Sequence, residues 1–364
     1  MPSEFALIDR YFRRPVSHTV LGVGDDGAIV RPSPGCELVV STDMLVAGTH
    51  FLPDADPADL GWKTLAVNVS DMAAMGAEPR WALLAVALPA ATESWIEKFA
   101  HGFFACANAF GIDVIGGDTT KSPPVDAALQ RPPPRGQGNT WGGPACFPGP
   151  RVFCVTIFGE VPTGTALLRS GAAVGDEIWV SGYPGRAALG LAHLQGQTVL
   201  SEPALTDCLA ALHRPQPRVA LGLALRGLAT AAIDVSDGLL ADLGHVLEAS
   251  NVAATLQPAV PPAPTLLAPH ARNPGSLPPT GGRTSAWDGP AQTFDRECYL
   301  SGGDDYELIF TAPAVRHAKI DALATTLALP LTCIGRIETG TGLTVLDPAG
   351  QPIDIARRGY DHFS

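Results

Sequence analysis

The stretch from Asp56 to Pro89, DPADLGWKTLAVNVSDMAAMGAEPRWALLAVALP, decides how the chain reads. Asp56 stands in N-cap position before Pro57, which suits the first turn of a helix, and Gly76 followed by Pro79 supplies the stop. A helix over 57–75 is therefore expected, with Asn68 and Asp71 on one face beside the apolar stripe of Leu65, Met72 and Met75. WALLAVALP (81–89) is a short continuous apolar run, the pattern of a buried strand. Working outward, 93–110 reads as a helix closed by Gly111, and IDVIGGD (112–118) as a strand running into a Gly-Gly-Asp turn. Upstream, ELVVSTD (37–43) is β-rich, VLGVGDDGAIV (20–30) turns through Gly24-Asp25-Asp26-Gly27, and 3–14 is an amphipathic helix on Phe5, Ile8 and Phe12. Strand and helix alternate, which argues an α/β (α+β) chain.

The alternation continues downstream. RVFCVTIFGEV (151–161) is a strand, and a boundary near 161 opens a second α/β unit. That unit carries strands at 176–181, 229–235, 305–310 and 332–337, with helices at 185–195, 217–227, 237–250 and 314–327, the third capped by Ser236 or Asp237. Two Pro/Gly-rich excursions, 124–150 and 263–292, exclude helix interiors and central strands and are expected as mobile surface loops. The apolar strands 38–41, 81–89 and 151–158 offer more sheet surface than one small domain covers, which argues a homodimer.

At 364 residues the chain suits two domains. Lys+Arg 24 against Asp+Glu 36 leaves a net charge of −12, a field that repels polyphosphate backbones, so nucleic acid is not an expected partner and an anionic ligand needs accompanying cations. Seven cysteines without CxxC or Cys/His spacing signal neither a disulfide framework nor zinc, as expected of a cytoplasmic protein. The start, MPSEFALIDRYFRR, has an acid at Glu4 and no apolar run, and no stretch reaches membrane-spanning length.

Five stretches share one design, an aspartate at a strand end or on a helix beside small residues: Gly24-Asp25-Asp26, Ser41-Thr42-Asp43, Asn68-Val69-Ser70-Asp71, Gly116-Gly117-Asp118-Thr119-Thr120 and Ile233-Asp234-Val235-Ser236-Asp237-Gly238. Carboxylates and hydroxyls are hard oxygen donors suited to Mg²⁺ bridging to phosphates, and glycines let backbone N–H groups approach phosphate oxygens. Each alone is equally an ordinary turn or helix start. Gly61-Trp62-Lys63-Thr64 is no Walker A loop, and kinase-type H-R-D and D-F-G elements do not occur. His50 follows the STD strand end and reads as a site residue or a loop histidine; Arg169 reads as a phosphate fork or a surface arginine. Gly302-Gly303-Asp304-Asp305-Tyr306-Glu307 sets three acids in four residues, for a metal, a substrate cation or a charged turn.

Taken in order, EFALIDRYF, GVGDDGA, STDMLVAGTHF, KTLAVNVSDMAAMGAEP, IGGDTT, LLRSGA, IDVSDGL, SGGDDYEL, IGRI and the terminal GYDHF resemble the thiamine-monophosphate kinases over nearly the whole chain outside the two excursions. The resemblance implies the two-domain fold of the aminoimidazole-ribonucleotide synthetase and selenophosphate synthetase superfamily. An N-terminal ATP/Mg-binding and dimerisation domain (1–161) would be followed by a C-terminal α/β domain (162–364), with N-terminal domains pairing into a dimeric β-barrel-like core. It implies ATP-dependent phosphorylation of thiamine monophosphate with several Mg²⁺ ions. By motif, Asp26, Ser41, Thr42, Asp43, Asp71, Asp118, Asp234 and Asp237 fall on metal positions; Gly117, Asp118, Arg169 and Ser236 on ATP positions; and His50, Asp304 and Tyr360 on positions lining thiamine phosphate. Asp43, Asp71 and Arg169 are the residues expected to bear most on turnover. At Asp304 the family usually has glutamate. The sister chemistry of selenophosphate synthesis relies on a Cys and a Lys near the N-terminus, whereas here the first of each is Cys36 and Lys63.

Overall fold

The structure, a computed structural model, describes residues 4–90, 92–123, 125–126, 146–147, 149–257, 290–347, 349–355 and 359–360. It divides into two compact units, one of Met1–Ser33, Val40–Asn68 and Pro79–Phe158, the other of Pro34–Val39, Val69–Glu78 and Gly159–Ser364. The expected mixed α/β class is what is found.

In the first unit, strands β1 (Cys36–Val46), β2 (Glu78–Leu88), β3 (Asp113–Lys121) and β4 (Val152–Pro162) form a sheet in the order β1-β4-β2-β3, some of them running on into the second unit. Helix α1 (Pro57–Ala74) begins where expected, because the Asp56 carboxylate accepts from the N–H groups of Ala58 (2.8 Å) and Asp59 (3.2 Å). It ends on Gly76 at φ +63, with Ala77 N–H donating to Met72 and Gly76 N–H to Ala73, a Schellman motif. Helix α2 (Glu93–Ala109) is the crossover between parallel strands β2 and β3. Its Phe99 stacks on Phe153 of β4 with ring centroids 4.7 Å apart. The two helices cross through glycines: a Cβ on Gly61 would stand 2.1 Å from the Phe99 carbonyl oxygen, and one on Gly102 1.8 Å from that of Ala58. Along β1 the alternation leaves Val40, Thr42 and Met44 on an open face.

The second unit is built on strands β5 (Asp176–Ser181), β6 (Ala231–Asp234), β7 (Ala253–Leu256), β8 (Leu308–Pro313), β9 (Leu331–Glu338) and β10 (Gly342–Val345), in the order β6-β8-β5-β9-β7-β10. Neighbours are antiparallel except β7 and β10, which are parallel. Helices are α3 (Arg186–Leu194), α4 (Ala204–His213), α5 (Val219–Leu225), α6 (Leu239–Ser250), α7 (Pro290–Ser301) and α8 (His317–Leu327). Ile178, Val180 and Ile233 pack with Leu243 and Val246 of α6 on one face of the sheet; Trp179 and Phe310 pack with Leu221 and Leu225 of α5 and Ile320 of α8 on the other. With both faces covered, every residue of β5 is buried.

Several expectations are corrected. The N-terminal helix is α-helical only over Glu4–Leu7, continues as a π-helical turn (Ile8–Phe12), and buries Leu7 and Tyr11. The strand expected from Asp305 starts only at Leu308, because Asp304 (φ +73) and Tyr306 (φ +53) take left-handed conformations. Helix α7 begins at Pro290, inside the second excursion, since proline fits a first helical turn. Apart from that and the paired strands Val125–Asp126 and Cys146–Phe147, the expectation of mobile loops at 124–150 and 263–292 lies outside the described residues, or nearly so.

Candidate active site

In the first unit the polar triplet sits on β1 with its side chains divided between two faces. Ser41 and Asp43 are half-buried, whereas the Thr42 hydroxyl lies on the open face and donates to the Val155 carbonyl oxygen at 2.9 Å. Asn68, fully buried on α1, accepts the Asp43 N–H (3.0 Å) through Oδ1 and donates through Nδ2 to the Thr64 carbonyl (3.2 Å). This amide fixes Asp43 against the helix. His50 closes the turn after β1, its Nδ1 accepting the Val46 N–H at 3.0 Å, which leaves the ring proton on Nε2. Asp26 lies in an exposed turn, its N–H donating to the Asp25 carboxylate. Asp118 is exposed on β3, at the opposite sheet edge from β1. Gly117 beside it has φ +156, and a Cβ there would stand 1.8 Å from the Leu84 carbonyl oxygen of β2, so close strand approach alone demands glycine. Asp113, unremarked in the sequence, is buried and accepts from the N–H groups of Ser17 and His18 and from the Thr19 hydroxyl, which docks the segment leading to the Asp25-Asp26 turn.

In the second unit, motifs far apart in sequence meet. Ser70, one residue before the half-buried Asp71, donates its hydroxyl to Asp234 at the end of β6 (2.7 Å). Beyond Asp234 the loop Val235–Gly238 accepts three N–H groups in turn: Tyr306 on Val235 (2.8 Å), Asp304 on Ser236 (2.8 Å) and Tyr360 on Asp237 (2.9 Å). Ser236, Asp237, Asp304 and Tyr360 are thereby gathered around one loop. The approach is close: a Cβ on Gly303 would lie 2.3 Å from the Ser236 carbonyl oxygen. The Tyr306 hydroxyl bonds to Asp304 Oδ1 at 3.0 Å. Strained left-handed non-glycine residues at such a place are common at functional loops.

The three acids after Gly303 divide in role. Asp305 is buried and accepts from the N–H groups of Gly185 (2.6 Å) and Ala187 (3.2 Å), capping α3, and burial pushes its carboxyl up to about 7. Glu307 is buried in a pair with Arg218 and also accepts from the Ser181 hydroxyl. Asp304 is joined to the gathered loop by its own N–H, on the Ser236 carbonyl. Nor do Ser236 or Asp237 cap α6 with their side chains, as the sequence suggested: the N-cap is Gly238, and the acceptor is Asp242 Oδ2, which takes the N–H groups of Ser236, Asp237 and Gly238 at 3.0, 3.1 and 3.0 Å. Burial pushes the Asp242 carboxyl up to about 7, against the pull of these donors. Its only sequence signal is an acid in the first turn of the helix. Arg169 is exposed, its main chain tied to the Ser250 hydroxyl at 3.2 Å.

Among the described residues no three His, Cys, Asp or Glu side chains cluster as a metal site. The donors on offer, exposed Asp26 and Asp118 and half-buried Asp43, Asp71 and Asp237, are hard oxygens, the set that Mg²⁺ takes.

Residues 24–130 match the family model of the AIR synthase related protein, N-terminal domain. The chain is 40% identical to the thiamine-monophosphate kinase of Escherichia coli (strain K12) over 365 residues, 99% of this chain and 98% of the relative. Among solved structures it is similar to the thiamine-monophosphate kinase of Stenotrophomonas maltophilia K279a, with 42% identity, a TM-score of 0.72, and coverage of 96% of this chain and 98% of that one. It is also similar to AaThiL complexed with AMPPCP and TMP, with 27% identity, a TM-score of 0.66, and coverage of 99% and 97%. With identity of this order sustained from end to end, the chain belongs to the thiamine-monophosphate kinase family.

Proposed function

We propose that this protein transfers the γ-phosphoryl group of ATP to the phosphate of thiamine monophosphate, giving thiamine diphosphate by direct in-line displacement without a phosphoenzyme. The observation that carries this reading, beside membership of the family, is the meeting of Asp304 and Tyr360 with Ser236 and Asp237 on one loop. The first two are assigned to the thiamine phosphate, Ser236 to ATP and Asp237 to metal. His50 is assigned to the same substrate, and Gly117, Asp118 and Arg169 to ATP.

The acceptor is a phosphate monoester with a second pKa of about 6, so at neutral pH it is largely dianionic and attacks without a general base. In the second unit the raised carboxyls of Asp242 and Asp305 are both committed to backbone N–H groups, which suits a reaction without one. The obstacle is repulsion: like charges near 4 Å cost about 4 kcal/mol per pair at an effective dielectric of 20. Asp26, Asp43, Asp71, Asp118, Asp234 and Asp237, with Ser41 and Thr42, would hold Mg²⁺, which when bound neutralises phosphate charge. Asp43 and Asp71 are the metal-position carboxylates assigned to catalysis, and Arg169 steadies the charge that spreads over the transferring group.

We further propose that 1–161 is an ATP/Mg-binding and dimerisation domain and that 162–364 is a C-terminal α/β domain carrying the remaining ATP and metal positions, Arg169, Asp234, Ser236 and Asp237. The open face of β1, where Val40 is 55% and Met44 53% exposed, supports a homodimer. Thiols outside any disulfide at Cys36, Cys106, Cys154, Cys208, Cys298 and Cys333 fit the cytoplasm.

ADP release measured with thiamine monophosphate, with thiamine and with no acceptor tests the reading. Release should depend on thiamine monophosphate; equal release with thiamine or without acceptor would overturn it.

A further inference from the structure

Each peptide unit carries its N–H and C=O on opposite edges, so a loop bonded on both edges has its peptide planes fixed. From Val235 to Gly238, three successive peptides are held this way. On one edge the N–H groups of Ser236, Asp237 and Gly238 converge on the single oxygen Asp242 Oδ2 at 3.0–3.1 Å. On the other edge the carbonyls of Val235, Ser236 and Asp237 accept from Tyr306, Asp304 and Tyr360. The loop cannot cap itself, because its N-cap residue is Gly238 at φ +130, where a Cβ would meet the Ser301 backbone at 2.8 Å. The acceptor has moved one turn into α6, onto a side chain that is 2% exposed.

We propose that Asp242 is a positioning residue for phosphoryl transfer: by orienting these three peptides it sets the carbonyls from which Asp304 and Tyr360 hang, and with them Ser236 and Asp237. The inference rests on the assignment of those four residues to substrate, ATP and metal given above. Asp242 touches no reacting atom. An anionic acceptor binds N–H groups roughly twice as strongly as a neutral one. Misplacing a loop by a fraction of an ångström is costly where geometry sets the rate.

The test uses the full chain with Asp242→Asn, which keeps size and one acceptor oxygen, and Asp242→Ala, which removes the acceptor. Expected are losses in kcat/KM for thiamine monophosphate of about tenfold for Asn and about a hundredfold for Ala, the range seen when supporting hydrogen bonds of a site are cut. Amide hydrogen exchange should quicken at 236–238 and also across the loop at 303–306, while the sheet strands β5 and β8 keep wild-type protection. Because exchange needs no substrate, it reports on the positioning even if the wild-type enzyme proves to act on another acceptor. Kinetics within twofold of wild type in the Asn variant, unchanged exchange at 303–306, or faster exchange spread uniformly over the unit would each overturn the proposal. The last of these would mean that Asp242 only stabilises the fold. Should the Ala variant fail to fold, the Asn variant decides the matter by the same readouts.

Discussion

Arg218 grips Glu307 with two prongs, Nε on Oε2 and Nη2 on Oε1, each at 2.6 Å. The carboxylate is 2% exposed, and Gly182 must lack a side chain to admit it, since a Cβ there would stand 1.9 Å from Oε1. Removing one partner of such a pair strands a buried charge. Arg218→Met should therefore lower unfolding free energy by up to about 3 kcal/mol, visible as a lower urea midpoint, the loss being tempered by Arg186, whose Nη2 keeps an ion pair with Oε1 at 3.6 Å. An unshifted midpoint would show that the pair contributes nothing.

Asp305 should make stability fall as pH rises. Its folded carboxyl is pushed up to about 7, chiefly by burial, whereas in the unfolded chain it ionises near pH 4. Between those values the folded state holds the extra proton, so its stabilising share is complete below about pH 4 and is lost as pH climbs through 7. In Asp305→Asn the decline of Tm from pH 4 to 7 should be shallower. The flattening will be partial, because Asp242 carries a shift of the same sign. Parallel profiles for the two proteins would refute the assignment.

Asp304 holds a left-handed backbone at φ +73, which Asn tolerates as well as Asp does. Asp304→Asn thus keeps the turn and removes only the charge. If that charge meets the cationic thiazolium, KM for thiamine monophosphate should rise about tenfold while KM for ATP stays put. Unchanged values for both substrates would reduce the residue to a turn former.

Neighbours Gly117 and Asp118 should separate cleanly. Gly117→Ala forces a Cβ onto the Leu84 carbonyl and should cost about 3 kcal/mol or more in stability. Asp118→Asn, on an exposed side chain, should leave Tm within about a degree yet cut turnover by about a hundredfold or more at millimolar Mg²⁺. Retained turnover in Asp118→Asn would remove this carboxylate from the metal set.

Helix α1 was legible because its start and stop are local: Asp56 bonds two and three residues ahead, and Gly76 supplies the left-handed turn. The cap of α6 was not, because Asp242 binds backbone N–H groups, which carry no sequence signature. The sequence suggests a strand over 305–310, yet the partners of Asp305 and Glu307 lie at Gly185 and Arg218, beyond the reach of any local pattern. Helix α4 went unread although Cys208 and Leu212 stand at helical spacing, and strands β7 and β10, four residues each, were too short to show a period. At the candidate site the aspartates were visible as a pattern. What holds them was not, since Asn68 and Ser70 act only through folds of the chain that bring β1 and β6 to them.

The glycine crossing of α1 and α2 behaves as a mechanical detent. With backbone seated on backbone at Gly61 and Gly102, sliding α1 by one turn would set bulkier residues into the notch, so a single axial register survives. Asn68 lies seven residues further along the same helix, about 10 Å by helical rise. The height at which its amide meets Asp43 is therefore dictated by a contact that contains no functional group at all, and an alanine at position 61 or 102 should misalign the β1 carboxylate without touching it.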